Sequence, residues 1–262
     1  MDALIGWTGL TGSTIRRARD FDALFRSTDI ETMRGRDFDL VVCAGVRAEK
    51  WKANKDPEGD AAGIARLTDV LATVRIGHLV LISTADAYPV PVGVDEATAI
   101  DPQSGHAYGR HRLALEQFCA QRFSTTVVRL PGLFGEGIKK NAIFDLLHDN
   151  AVAAIHPDSE FQFYDLARLW ADIERVRAAG IPLVNLSVAP TSMRDVAARA
   201  FQRTLVKPDT PPVRYDIRSR YAATFGGRDG YWYDAPSTLD AIAAFVARAR
   251  AREHAQQGGG AA

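Results

Sequence analysis

The sequence predicts a doubly wound parallel α/β sheet, and three observations carry that prediction. Short apolar runs alternate with segments of helical periodicity, those runs are apolar throughout, and the first of them ends in a glycine turn. Strands that stay apolar on both faces suit a sheet covered by helices on each side.

The opening stretch is LIGWTGLTGSTI. Leu4 and Ile5 finish a buried strand, and Gly6, Gly9 and Gly12 follow in a Gly-x-x-Gly-x-x-Gly frame before a helix start. A pyrophosphate at a helix N-terminus needs bare backbone N–H groups and no Cβ in the way, which glycine provides. Gly6, Thr8, Gly9, Leu10, Thr11 and Gly12 are therefore candidate cofactor contacts, with hydroxyls from Thr8, Thr11, Ser13 and Thr14 around the turn. An ordinary Gly-rich loop would read the same way. The position after a strand, where a Rossmann unit opens, favours a nucleotide.

Ser13 to Arg19 reads as a short helix and Phe21 to Phe25 as a second strand. An NAD site carries an acid about 20 residues past its first glycine, to hold the ribose 2′-hydroxyl. Arg26 stands there instead, followed by Ser27, a pairing that suits a 2′-phosphate and favours NADP over NAD. The alternative is an Arg26 that only ends a surface strand.

Phe38 to Ala44 is the third strand, and Ala44, Gly45 and Val46 at its end are further cofactor candidates. Residues 46–58 read as polar and irregular, either a solvated connection or a lid, with Trp51 expected to pack. Ile64, Leu67, Leu71 and Val74 recur at helical spacing, and His78 to Ser83 is the next buried strand. Thr84 closes it.

Tyr108 and Arg112, in AYGRHR, are four apart on a helix and share a face. A cation there should favour the phenolate and lower the Tyr108 pKa towards the working range. Thr84, Tyr108 and Arg112 thus read as a set, the hydroxyl holding a substrate oxygen while the phenol moves its proton. His106 and His111 flank Tyr108, as tuning groups or as helix surface.

Later elements are less regular. Ser124 to Leu130 is a strand, and Lys139 and Lys140 lead into a helix through Leu147. Leu183 to Leu186 is a short strand, Ser192 caps a helix ending near Phe201, and Ser237 begins the last helix. The domain reading is 1–135 for the dinucleotide-binding part, with a return segment near 160–186. Residues 136–250 form a substrate-capping region and 251–262 a flexible tail.

Charge and composition bound the function. With 32 basic and 32 acidic residues the net charge is zero, which argues against a nucleic-acid or anionic-membrane binder. No apolar stretch reaches the ~18 residues of a membrane span. The N-terminus runs directly into a strand, leaving no room for a signal peptide, so a cytoplasmic protein is expected. Cys43 and Cys119 sit in apolar surroundings, as buried free thiols would. Six histidines without ligand spacing predict no metal.

Taken together, GWTGLTG, STADAYP, AYGRHR and VVRLPGLFGEG resemble the extended short-chain dehydrogenase/reductase family, most of all its NAD-dependent epimerase/dehydratase group. The resemblance runs in order from Leu4 to about Leu186. It implies a Rossmann-like sheet with a smaller C-terminal substrate-capping region. It places Thr84 and Tyr108 in the family's catalytic Ser/Thr and Tyr positions, Asp86 where dehydratases carry an acid, and Pro131 near the nicotinamide. Lys139, Lys140, Asn141 and His156 fall where the substrate region begins.

The implied activity is that of an NAD(P)-dependent oxidoreductase or epimerase on a carbonyl or hydroxyl of a sugar nucleotide-like small molecule. Tyr108 would be the acid/base. A homodimer through helices 63–75 and 107–121 is a further implication. One departure stands out: the family has Lys where this chain has Arg112. Arginine keeps the charge but does not release a proton. A non-catalytic NADP-binding sensor or scaffold of the same fold therefore stays open.

Overall fold

Runs that avoid water on both faces become interior strands here, and helices cover them. The computed structural model describes residues 1–258, which divide into two units. The first comprises Met1–Leu130 and Ala167–Asn185; the second comprises Pro131–Leu166 and the chain from Leu186.

The first unit begins with β1 (Asp2–Ile5), α1 (Leu10–Ala18), β2 (Ala23–Phe25) and β3 (Asp37–Cys43). It continues through α2 (Lys50–Lys55), α3 (Pro57–Leu71), β4 (Arg75–Thr84), the short β5 (Val92–Val94), α4 (Ala107–Arg122) and β6 (Thr125–Leu130). The chain then gives β7 (Gly132–Phe134), α5 (Ala142–Leu147), β8 (Glu160–Phe161) and β9 (Phe163–Asp165) to the second unit. It rejoins the first with α6 (Leu169–Ala178) and β10 (Leu183–Asn185). The second unit closes with β11 (Thr191–Ser192), α7 (Met193–Phe201), β12 (Asp216–Ile217) and α8 (Ala235–Gly258).

Six strands form the central sheet in the order β10-β6-β4-β3-β1-β2, every neighbouring pair parallel. On one face Ala3, Ile5, Val41, Cys43, Leu79 and Leu81 meet Leu67, Val70 and Leu71 of α3 and Leu115 and Cys119 of α4 in one apolar core. Both cysteines are free and buried, and burial pushes the Cys43 thiol up to about 11. Each fully buried aliphatic side chain contributes about 1.5–3 kcal/mol of transfer free energy. Strand order reverses between β1 and β3, so a crevice opens beyond their carboxyl ends. That is where the glycine turn emerges.

The second unit has its own core. Gln162 organises part of it: its buried amide donates to the Val188 and Ile217 carbonyls at 2.6 and 2.7 Å and accepts from the Ile217 N–H at 2.8 Å. Phe134 packs on Phe245, and Phe225 stacks on Trp232 with centroids 4.2 Å apart.

Several boundaries differ from the sequence reading. The helix α1 starts at Leu10 rather than Ser13, because Gly9 takes the extended N-cap conformation. Residues 46–58 are not irregular throughout. They hold α2 and the start of α3, where Asp56 accepts from the Gly59 N–H and Pro57 begins the helix. Trp51 does not pack into the core; it is 62% exposed. Pro131–Gly135 and residues 160–166 belong to the second unit, since β7 pairs with β9. The tail expected from 251 is helical through Gly258, and residues 259–262 lie outside the described residues. Among the described residues no helix is long and apolar enough to cross a membrane, and no group of His, Cys, Asp and Glu comes together as a metal site.

Candidate active site

The glycine turn is shaped by contacts that admit no side chain. Gly6 has φ +83°, and a Cβ there would lie 2.4 Å from the Ala44 carbonyl oxygen. A Cβ on Gly12 would lie 2.1 Å from the Gly6 carbonyl oxygen. Close packing of β1, β3 and α1 therefore demands both glycines. Gly9 is the N-cap of α1 and offers no side-chain cap, and no acidic residue occupies the first turn. The first-turn N–H groups of Leu10, Thr11 and Gly12 have no partner within the helix and carry its positive end. This cradle fits a diphosphate. Not all of the expected hydroxyls serve it: Ser13 and Thr14 both donate back to the Leu10 carbonyl, at 3.1 and 2.9 Å.

Ala44, Gly45 and Val46 follow β3 directly, beside Gly6. Arg26 and Ser27 follow β2, both exposed. The Arg26 guanidinium pairs with Asp29 at 3.4 Å, and Asp29 also accepts the Arg26 N–H.

At the end of β4 the backbone enters a 3₁₀ turn over Ala85–Ala87, and the Thr84 hydroxyl oxygen accepts the Asp86 N–H at 3.1 Å. The Thr84 side chain is near enough to the buried Tyr108 phenol to favour its ionised form. Gly109 permits the approach, because a Cβ there would lie 2.3 Å from the Asp86 carbonyl oxygen. His106 caps α4 by accepting the Gly109 N–H, and its ring is 6.2 Å from that of Tyr108. Thr84, Asp86, Tyr108 and Arg112 are thus brought together.

The expected lowering of the Tyr108 pKa is overturned: it stands above the ordinary tyrosine value. Burial is the largest cause and Asp86 adds to it, outweighing the opposing Arg112, Thr84 and Lys50. Arg112 does not meet the phenol oxygen. Its guanidinium lies over the face of the ring, 3.9 Å from the centroid. Its N–H groups go to both Asp60 carboxylate oxygens, one of them at 2.9 Å, to the Arg47 carbonyl at 2.6 Å and to the Tyr108 carbonyl at 3.2 Å. His111 joins the same carboxylate at 2.8 Å. Desolvation raises the Asp60 pKa, but Arg112 and His111 together hold it below the usual carboxylate range.

Three participants were missed by the sequence reading. Lys50 of α2 donates to Asp86 at 2.8 Å, Asn54 of α2 accepts the Tyr108 N–H at 3.0 Å, and Asp60 of α3 anchors Arg112. The Asp-Pro at 56–57 is the signal that would have started α3 early enough to place Asp60 in its first turn. Lys50 and Asn54 had no comparable signal. Deeper in the sheet, Arg129 forms a buried pair with Glu116 at 2.6 Å, and Ser83 donates to the same carboxylate.

The remaining candidates lie in the second unit. Pro131 is its first residue. Lys139 and Lys140 are exposed. The Asn141 side chain is committed to structure: it accepts the Ile143 and Phe144 N–H groups and donates to the Leu133 carbonyl, which stabilises its φ of 110°. This employment runs against the expected ligand role. His156 is buried; its Nδ1 accepts the Asp158 N–H, and it lines a cavity of about 470 Å³ with Lys207 and residues 208–212.

Residues 5–159 match the model of the NAD dependent epimerase/dehydratase family. None of the curated proteins matches the chain by sequence. Among solved structures, dTDP-4-dehydrorhamnose reductase from Bacillus anthracis, in complex with NADP, is similar at 15% identity and TM-score 0.70, covering 94% of this chain and 98% of that one. UDP-N-acetylglucosamine 4-epimerase from Bacillus cereus is similar at 15% identity and TM-score 0.67, covering 95% and 98%. UDP-glucose 4-epimerase from Thermotoga maritima, with UDP-glucose, is similar at 11% identity and TM-score 0.64, covering 96% and 99%.

Proposed function

Because the chain belongs to the NAD dependent epimerase/dehydratase family, we propose that it is an NADP-dependent reductase or epimerase acting on a carbonyl or hydroxyl of a nucleotide sugar. The observation that carries this reading is the placement of Thr84, at the carboxyl end of β4, beside the first turn of α4 that bears Tyr108, in the sheet whose switch point holds the glycine cradle.

The roles follow from the geometry. Leu10, Thr11 and Gly12 offer N–H groups to the diphosphate. Arg26 and Ser27, after β2, suit a 2′-phosphate, and the Asp29 partner holds the guanidinium there until the phosphate replaces it. A bound nicotinamide supplies hydride chemistry. Thr84, its oxygen already accepting from Asp86, donates to a substrate oxygen, and Tyr108 moves the proton at its phenol oxygen. Burial, the largest cause, holds the Tyr108 phenol above the ordinary tyrosine range.

The test is turnover. dTDP-4-dehydrorhamnose with NADPH, and UDP-glucose and UDP-N-acetylglucosamine for epimerisation, are the probes. Tyr108→Phe should lose about 100-fold or more in kcat, with NADP binding retained. Parent-like turnover by that variant refutes the mechanism. The lock between Arg112 and Asp60 favours one second reading, a dinucleotide-binding sensor. It gains if cofactor binds but is never oxidised or reduced with any nucleotide sugar.

A further inference from the structure

Arg112 sits at the position of the family's proton-handling lysine, yet its two terminal nitrogens are engaged by Asp60 and by two backbone carbonyls, its buried Nε has no hydrogen-bond partner, and its guanidinium lies over the ring of Tyr108. Another lysine reaches the same site from a different element. Lys50 and Asn54 are four apart on α2 and share a helical face. Asn54 accepts the Tyr108 N–H at 3.0 Å, which fixes α2 against the first turn of α4. Lys50 Nζ donates to Asp86 Oδ1 at 2.8 Å, and the Asp86 N–H donates to Thr84, which with Asp86 neighbours the phenol.

We propose that Lys50 tunes ionisation of the Tyr108 phenol by offsetting the charge of Asp86, as a second cation beside the Arg112 guanidinium that Asp60 holds over the ring. This deepens the catalytic reading above and rests on it for its functional meaning. The charged groups around the phenol are Arg112 on its own helix, Asp86 from the turn after β4 and Lys50 from α2, with His106 at the helix start. The negative charge of Asp86 opposes a phenolate, and the Lys50 ammonium offsets that charge. Lys50 is a positioning residue, because it acts on the phenol through a neighbour. Its side chain is 39% exposed and sits where solvent protons can exchange, whereas Tyr108 is only 6% exposed.

The phenol itself provides the readout. In protein labelled with ¹³C at the tyrosine ζ carbon, the Tyr108 resonance is assigned by its loss in Tyr108→Phe. Its alkaline titration is then followed in the parent, Lys50→Met, Lys50→Arg and Asp86→Asn. Lys50→Met should move the midpoint up, Asp86→Asn should move it down, and Lys50→Arg should restore the parent value. A salt bridge that merely pinned α2 would leave the midpoint of Lys50→Met where it is, and that result overturns the proposal. A Lys50→Met effect that Lys50→Arg fails to restore overturns it as well. With dTDP-4-dehydrorhamnose and NADPH as probe, Lys50→Met should lower kcat about 100-fold and shift the alkaline limb of the pH profile, with KM for NADPH unchanged. If the parent itself turns over no nucleotide sugar, the catalytic reading fails while the titration still decides the role of Lys50.

Discussion

Replacing Asp60 with alanine tests whether Arg112 is a structural strut. The pair is well removed from water, with side-chain exposures of 4% for Arg112 and 10% for Asp60. Asp60→Ala takes away both carboxylate oxygens and leaves the guanidinium with the Arg47 and Tyr108 carbonyls. Breaking a buried pair by deleting one partner costs about 3–5 kcal/mol. Because two acceptors survive, the lower end applies, about 3 kcal/mol, or on the order of 100-fold in the folding equilibrium. Removing the cation too, in Asp60→Ala/Arg112→Met, should recover much of the loss, since no uncompensated charge stays buried.

Urea denaturation followed by circular dichroism of the parent, the single and the double variant measures this. A single variant within about 0.5 kcal/mol of the parent would refute the reasoning, because exposed ion pairs behave that way. pH gives a second check. The folded-state pKa of Asp60 is depressed, so its contribution is fully present above the unfolded value and is lost as pH falls through the folded one. The gap between parent and Asp60→Ala should therefore narrow below about pH 4.

Two further outcomes are expected. Gly12→Ala should destabilise by about 2 kcal/mol and remove the thermal shift produced by NADP, since its Cβ would meet backbone at 2.1 Å; Gly63→Ala, which meets nothing, is the control and should be neutral or mildly stabilising. Glu116→Gln should cost about 3 kcal/mol by thermal or urea denaturation, because Arg129, at 4% exposure, loses its counter-charge.

How much of this was legible in the sequence varies by element. β1, β3, β4 and β6 were readable because each holds a run of consecutive buried apolar residues, and the glycine turn because backbone must touch backbone there. Thr84, Asp86 and Tyr108 were readable as a set through the family likeness of their segments. The partners of Arg112 were not. Spacing of four residues places Arg112 on the Tyr108 face, but only the tertiary structure delivers Asp60 from α3 to claim its donors. The sign of the Tyr108 shift was misread for a related reason. A nearby cation is visible in sequence, whereas the desolvation that outweighs it belongs to the folded surroundings. α2 escaped notice because KWKANK buries only Ala53 and shows no apolar periodicity. Nothing local in the sequence announces that Glu116 and Arg129 face each other in the interior.

The tether from Asn54 to the backbone of Tyr108 joins two stretches that look independent along the chain. Anyone grafting the connection after β3 from a relative, to broaden what the enzyme accepts, would cut it unless an amide returned at the same height. The first turn of α4 would then lose the side-chain acceptor of the Tyr108 N–H. The loop and the helix it clasps form one exchangeable cassette, to be swapped together or left alone.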